Sequence, residues 1–124
     1  MKKTALILFI SVALHCSKQE IVELPITTSS EMARELYREA IKHMEVGDNI
    51  EKRAALDSAI KTDPNFALAL EMNDAPDRTT RKNHQEKAKT QINNVTEQEK
   101  LILLIREAYR NNNMDDALAF GKEL

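Results

Sequence analysis

The sequence predicts an all-α fold in which the helices pair as antiparallel hairpins. Only two glycines and three prolines occur among 124 residues, and both residue types disfavour helix interiors. Beyond residue 30, apolar residues recur at every third or fourth position over long stretches, which places them on one face of each helix. Aromatic residues make up only 4% of the chain, so the core has to be built mainly from Leu, Ile, Ala and Met. The length allows one such domain.

Residues 1–15 have the pattern of a secretory signal peptide. Lys2 and Lys3 precede an apolar run from Ala5 to Leu14 that is interrupted only by Ser11. This run is shorter than the roughly 20 apolar residues that a membrane-spanning helix needs. A basic start followed by a short apolar run therefore favours a signal peptide over a transmembrane helix.

The only cysteine, Cys16, falls where this apolar run ends, and a single cysteine excludes an intrachain disulfide. Its position resembles the lipobox of bacterial lipoproteins, in which the cysteine thiol receives a diacylglycerol and becomes the mature N-terminus. The sequence departs from the usual lipobox at Ala13 and His15, where Leu and a small residue are typical. The resemblance implies a lipid anchor at Cys16 and a place in the bacterial cell envelope, at the outer membrane or the cell surface. Ordinary signal cleavage, an uncleaved anchor and a cysteine placed by chance are the alternatives.

Residues 16–30 are rich in polar residues and lack helical periodicity. We predict that they form a flexible, lipid-anchored tether between the membrane and the folded part of the chain.

Residues 31–66 predict one helical hairpin. Ser30 or Thr28 can cap the first helix, and Gly47 can end it because glycine readily adopts the left-handed conformation. A second helix is expected from about Ile50 to Thr62, and Pro64 stops it because the residue before a proline disfavours the helical conformation.

Two small residues, Ala40 and Ala59, let these helices approach closely. Together with Gly47 and Pro64 they have the spacing of a tetratricopeptide repeat, which this segment resembles. One departure is Lys52, which lies where the family keeps a small residue early in its second helix. The resemblance implies an α-solenoid of stacked hairpins, because one such unit cannot bury its apolar face alone.

The rest of the chain predicts a degenerate second unit and part of a third. Phe66–Leu70 opens another apolar helix, and Asp77 can cap a helix from about Thr79 to Asn93. Thr96 and Glu99 have the spacing of a capping box, which begins a further helix.

Ala108 and Ala117 are the small residues of this last unit. The region 31–124 would then hold about two and a half to three units and be incomplete at its C-terminal end. Either the chain is a fragment of a longer repeat protein, or a partner or a second copy covers the last apolar face.

No catalytic, cofactor-binding or metal-binding motif is recognisable. His43 and His84 lie on separate predicted helices without further ligands at metal-binding spacing. The basic excess between Arg78 and Lys89 could meet an acidic partner or lipid head groups, but is most simply a solvated helix face. It has no interleaved aromatic residues, and the net charge is -2, so nucleic acid is not an expected partner.

The tetratricopeptide resemblance implies that a protein or peptide partner binds to the inner face formed by the first helix of each unit. In the first unit this face would present Arg34, Tyr37, Ile41, Met44 and Glu45. Such a mixed, largely apolar face suits an amphipathic helix or an extended peptide. Alternatively, its apolar members pack on the neighbouring unit.

We therefore expect a non-catalytic protein–protein interaction scaffold, anchored to the bacterial cell envelope as a lipoprotein and without a cofactor. One alternative is the N-terminal docking region of a larger enzyme whose catalytic domain lies beyond residue 124. Another is a glycan-binding lipoprotein of the SusD-like type, which the low aromatic content disfavours.

Overall fold

The periodic segments of the sequence form helices throughout the computed structural model, which describes residues 24–124. The predicted all-α class is confirmed, and no strand occurs within this range. The helices are α1 (Glu31–Glu45), α2 (Asn49–Thr62), α3 (Ala67–Met72), α4 (Arg78–Thr90), α5 (Glu97–Arg110) and α6 (Met114–Glu123). The predicted signal peptide and the predicted lipid anchor at Cys16 lie outside the described residues.

Five of these six helices are preceded by a residue whose side chain accepts a hydrogen bond from a backbone N–H group of the first turn. Such a bond satisfies one of the backbone N–H groups that the helix itself leaves without a partner. Thr96 and Glu99 form the predicted capping box at the start of α5. The other capping residues are Ser30, Asp48, Asp77 and Asn113.

The turn between α1 and α2 depends on Gly47, whose φ angle of 77° lies in the left-handed region. At the other end of α2, Asp63 is extended and Pro64 follows it, as the restriction on the residue before proline predicts.

Consecutive helices pack in pairs, α1 with α2, α3 with α4 and α5 with α6. The core lies mainly between α1, α2 and α3, where Leu56, Phe66 and Leu70 are fully buried. Burying one such side chain contributes about 1.5–3 kcal/mol. Contacts of α3 with α2 and with α5 join the three pairs.

Small buried residues allow the close approach within the pairs. Ala40 of α1 is 1% exposed and Ala59 of α2 is fully buried, while Ala108 and Ala117 hold the corresponding places between α5 and α6. Lys52 is also buried, and its ammonium group contacts the Asp74 carboxylate at 3.0 Å. Its aliphatic part therefore packs in the hairpin while its charge is paired at the edge.

Residues 24–30 form an extended strap before α1. Thr27 donates hydrogen bonds from its backbone N–H and its hydroxyl to the fully buried Glu99 carboxylate. Thr28 Oγ1 and Ser29 N donate to Asp63 Oδ2 at 2.6 and 2.9 Å. This last part of the predicted tether therefore belongs to the folded unit.

Hydrogen bonds from the strap act to lower the pKa of the Asp63 carboxyl. Burial of the carboxyl opposes its ionisation, but hydrogen bonds donated by Thr28, Ser29 and Asn65 outweigh burial and hold the pKa of Asp63 below its ordinary value. This carboxylate stabilises the fold above its unfolded pKa, and that contribution is lost as the pH falls through the folded pKa.

Replacing Ala59 with Phe should overpack the α1–α2 interface and lower the free energy of unfolding by about 1–3 kcal/mol. Ala54 lies on the exposed side of the same helix, so Ala54→Phe is the matched control and should change stability by less than about 0.5 kcal/mol. Urea denaturation of both variants measures the difference. Equal effects would contradict the assigned packing.

Glu99→Ala should destabilise the protein by about 3 kcal/mol, because it removes the capping box of α5 and leaves the donors of Thr27 unpaired. Glu97→Ala removes an exposed carboxylate from the same helical turn and should cost less than about 1 kcal/mol. The same denaturation measurement applies. A loss no larger for Glu99→Ala than for Glu97→Ala would show that the strap bonds contribute nothing.

Candidate functional site

An apolar groove of about 660 Å³ runs beside α1. Tyr37 and Ile41 are four residues apart, so they lie one turn apart on the same face of α1. Leu68 of α3 and Ile102 of α5 line the same groove, which therefore draws on one helix from each pair. The remaining lining residues are Leu24 and Ile26 of the strap and the charged residues Arg38, Lys42 and Glu45 of α1.

Three of the five residues predicted for the partner-binding face, Tyr37, Ile41 and Glu45, line this groove. Arg34 and Met44 are not among its lining residues. Arg34 lies one turn before Tyr37 and forms an ion pair with Glu31. Met44 is in the last turn of α1 and is 44% exposed.

Sequence reasoning missed the residues that other segments contribute to the groove. Leu68 and Ile102 lie in the apolar stripes predicted for α3 and α5, but the stripes alone do not tell which members face α1. Leu24 and Ile26 alternate in a segment that we expected to be a flexible tether, and alternating apolar residues are the available signal of an extended, half-buried chain.

Tyr37 serves the core as well as the groove. Its ring lies 5.1 Å from the ring of Phe66 at an interplanar angle of 52°, and its hydroxyl donates a hydrogen bond to Met72 Sδ at 3.0 Å. Burial of the phenol raises the pKa of Tyr37 to about 12. The side chain is therefore a neutral, fixed wall of the groove at physiological pH.

Charged groups at the groove are confined to α1. Arg38 is 2.5 Å from the Glu35 carboxylate, and Lys42 and Glu45 continue the rim towards the end of the helix. The site is thus an apolar surface with a charged edge, which can hold an apolar segment by burial and orient it by charge.

Neither a metal-binding group nor a membrane-spanning segment emerges from residues 24–124. No three His, Cys, Asp or Glu residues of this range are grouped so that they could hold a metal ion. None of its helices has the length and apolar character needed to cross a bilayer. The Nε2 atom of His43 lies 3.8 Å from Glu39 and its Nδ1 lies 3.8 Å from Asp48, an arrangement of surface neighbours.

We compared the chain with protein-family models, with curated proteins and with solved structures, and none of them matches it.

The raised pKa of Tyr37 predicts a loss of stability in alkali. The folded protein holds this proton more tightly than the unfolded chain, whose tyrosine pKa is 10.0, so the contribution is complete below pH 10 and is lost as the pH rises to about 12. The loss should be about 3 kcal/mol. Urea denaturation across this pH range measures it, and Tyr37→Phe should lack this component.

Direct titration provides an independent check. In a Tyr109→Phe variant Tyr37 is the only tyrosine of the chain, so the phenolate absorbance reports its ionisation alone. A midpoint near 10 in the folded protein would contradict the burial of the phenol.

Proposed function

We propose that the protein is a non-catalytic scaffold that binds a segment of a partner protein in the apolar groove. The observation that carries this proposal is the convergence of Ile41, Leu68 and Ile102, from three different helices, on one groove of about 660 Å³. Apolar grooves of this size bind ligands chiefly by removing apolar surface from water.

The occupant that fits best is an amphipathic helix with an apolar stripe and acidic flanks. The apolar stripe of this helix would cover Ile41 and Ile102. It would also lie beside the strap residue Leu24, which is 47% exposed. Arg38 and Lys42 lie on the groove rim with the acid Glu45, and Arg38 is paired with Glu35. Acidic residues in the flanks of the partner would therefore meet Lys42, and this contact would orient the helix.

The proposed architecture is a tetratricopeptide-like stack. Support comes from three consecutive helical pairs, from the left-handed Gly47 between α1 and α2, and from buried small residues at the repeat positions. These positions are Ala40, Ala59, Ala108 and Ala117. In such arrays one helix of each pair lines a shared binding surface, and the groove here draws on α1, α3 and α5.

We further propose that the scaffold is a lipoprotein of the bacterial cell envelope, anchored through Cys16. Support comes from Lys2 and Lys3, from the apolar run that follows them, and from the position of the only cysteine at its end. Metabolic labelling with a radioactive fatty acid in the native host should label the protein, and Cys16→Ser should abolish the label. Retained label in Cys16→Ser would refute the anchor.

The groove is tested by affinity purification of the full-length protein from its own host. Ile41→Asp and Ile102→Asp place a charge in the groove, so each should reduce recovery of the specific partner by on the order of tenfold. Ile50 is 76% exposed and lies outside the groove, so Ile50→Asp is the matched control and should recover the partner normally.

Circular dichroism of each purified variant establishes that it is folded. Undiminished recovery of the partner with both folded groove variants would refute the proposed site. Equal loss with Ile50→Asp would show that the effect is unrelated to the groove.

A further inference from the structure

A second cleft, of about 310 Å³, lies between the end of α3 and the facing sides of α4 and α5. It shares no lining residue with the apolar groove, and its lining is dominated by charged and amide side chains. The most buried of its carboxylates is Glu71, whose side chain is only 3% exposed.

Glu71 holds two guanidinium groups in place. Arg106 Nε donates to Glu71 Oε1 at 3.3 Å, and Arg110 donates to the same oxygen through one terminal nitrogen. The two arginines lie one turn apart on α5, and their side chains remain 46% and 34% exposed. A guanidinium has five N–H donors, so each arginine keeps donors for a ligand in the cleft.

Two opposing effects act on the Glu71 carboxyl. Burial raises the pKa of Glu71, although Arg110 and Arg106 both act to lower it. The pairs that Glu71 forms join α3 to α5 and hold both guanidinium groups at the wall of the cleft.

Arg81 adds a third oriented guanidinium from α4. Its Nε donates to the carbonyl oxygen of Ala75 at 3.0 Å, and a terminal nitrogen lies 3.4 Å from the carbonyl oxygen of Pro76. Arg81 lines the cleft with Arg106 and Arg110, so three arginines on two helices border one space. Cations fixed in this way are prepared for carboxylate oxygens, because little side-chain ordering remains to be done on binding.

The ligand that these cations favour carries several carboxylate groups. A peptide with acidic side chains in succession carries such groups and can reach more than one guanidinium at a time. A neighbouring cleft of about 420 Å³ shares Arg81 and Arg110 with the first and adds Arg78 and Lys82. The cationic border therefore continues along α4, which suits several acidic residues in succession.

We propose that the cleft bordered by Arg81, Arg106 and Arg110 binds an acidic segment of a partner protein. The proposal rests on the proposed function only in taking the ligand to be a protein.

Binding is measured by fluorescence anisotropy of labelled decaglutamate with the full-length protein. Removing both arginines alone would leave Glu71 buried and unpaired, so the test variant is Glu71→Gln with Arg106→Gln and Arg110→Gln. Lys61 is exposed and remote from the cleft, and Lys61→Gln changes the net charge by the same amount. The triple variant should weaken binding by about tenfold or more, and Lys61→Gln by less than about twofold.

Two further controls separate the parts of the proposal. Decaglutamine should not bind, because it carries no carboxylate groups for the arginines to hold. Ile41→Asp should bind decaglutamate normally, so failure of the apolar groove and failure of this cleft are distinguishable.

Three outcomes would overturn the proposal. The first is absence of decaglutamate binding by the wild-type protein, and the second is equal weakening by Lys61→Gln and the folded triple variant. The third is displacement of decaglutamate by inorganic phosphate or an acidic oligosaccharide at equal carboxylate or phosphate concentration.

Discussion

The buried Glu99 carboxylate is the interaction on which the arrangement of the three helical pairs depends. Its two oxygens accept hydrogen bonds from the backbone and hydroxyl of Thr27 and from the backbone and hydroxyl of Thr96. All four donors are neutral groups. The same carboxylate thus begins α5 and holds the strap, which carries Leu24 and Ile26 into the wall of the apolar groove.

Local chemistry made much of the helical framework predictable, and long-range contacts explain what was missed. The side chains of Asp48 and Thr96 each accept a hydrogen bond from the backbone N–H three residues later. These caps can therefore be recognised from residues that are close in the sequence. The bond from Thr27 to Glu99 spans 72 positions, and the pairing of Glu71 with Arg110 spans 39. The candidate groove was accordingly predicted on α1 but not on α3, α5 or the strap.

Apolar and charged surfaces follow one another along the same helices. On α3, Leu68 lines the groove and Glu71, three residues later, lines the cleft. On α5 the same order holds for Ile102 and Arg106, which are one turn apart. Short helices can therefore present two chemically distinct surfaces side by side, and the change from one to the other takes a single helical turn.

The strap also changes how the fold can come apart. In an array of helical repeats each unit contacts only its neighbours, so the ends can fray while the middle persists. Here Thr27 precedes the first pair and is bonded to Glu99 of the third, so loss of the strap or of the start of α5 breaks a contact that both the first and the third pair need. The three pairs should consequently unfold as one cooperative unit. Folding should be slower than that of a bundle held by local contacts, because the chain must close a loop of 72 positions before this bond can form.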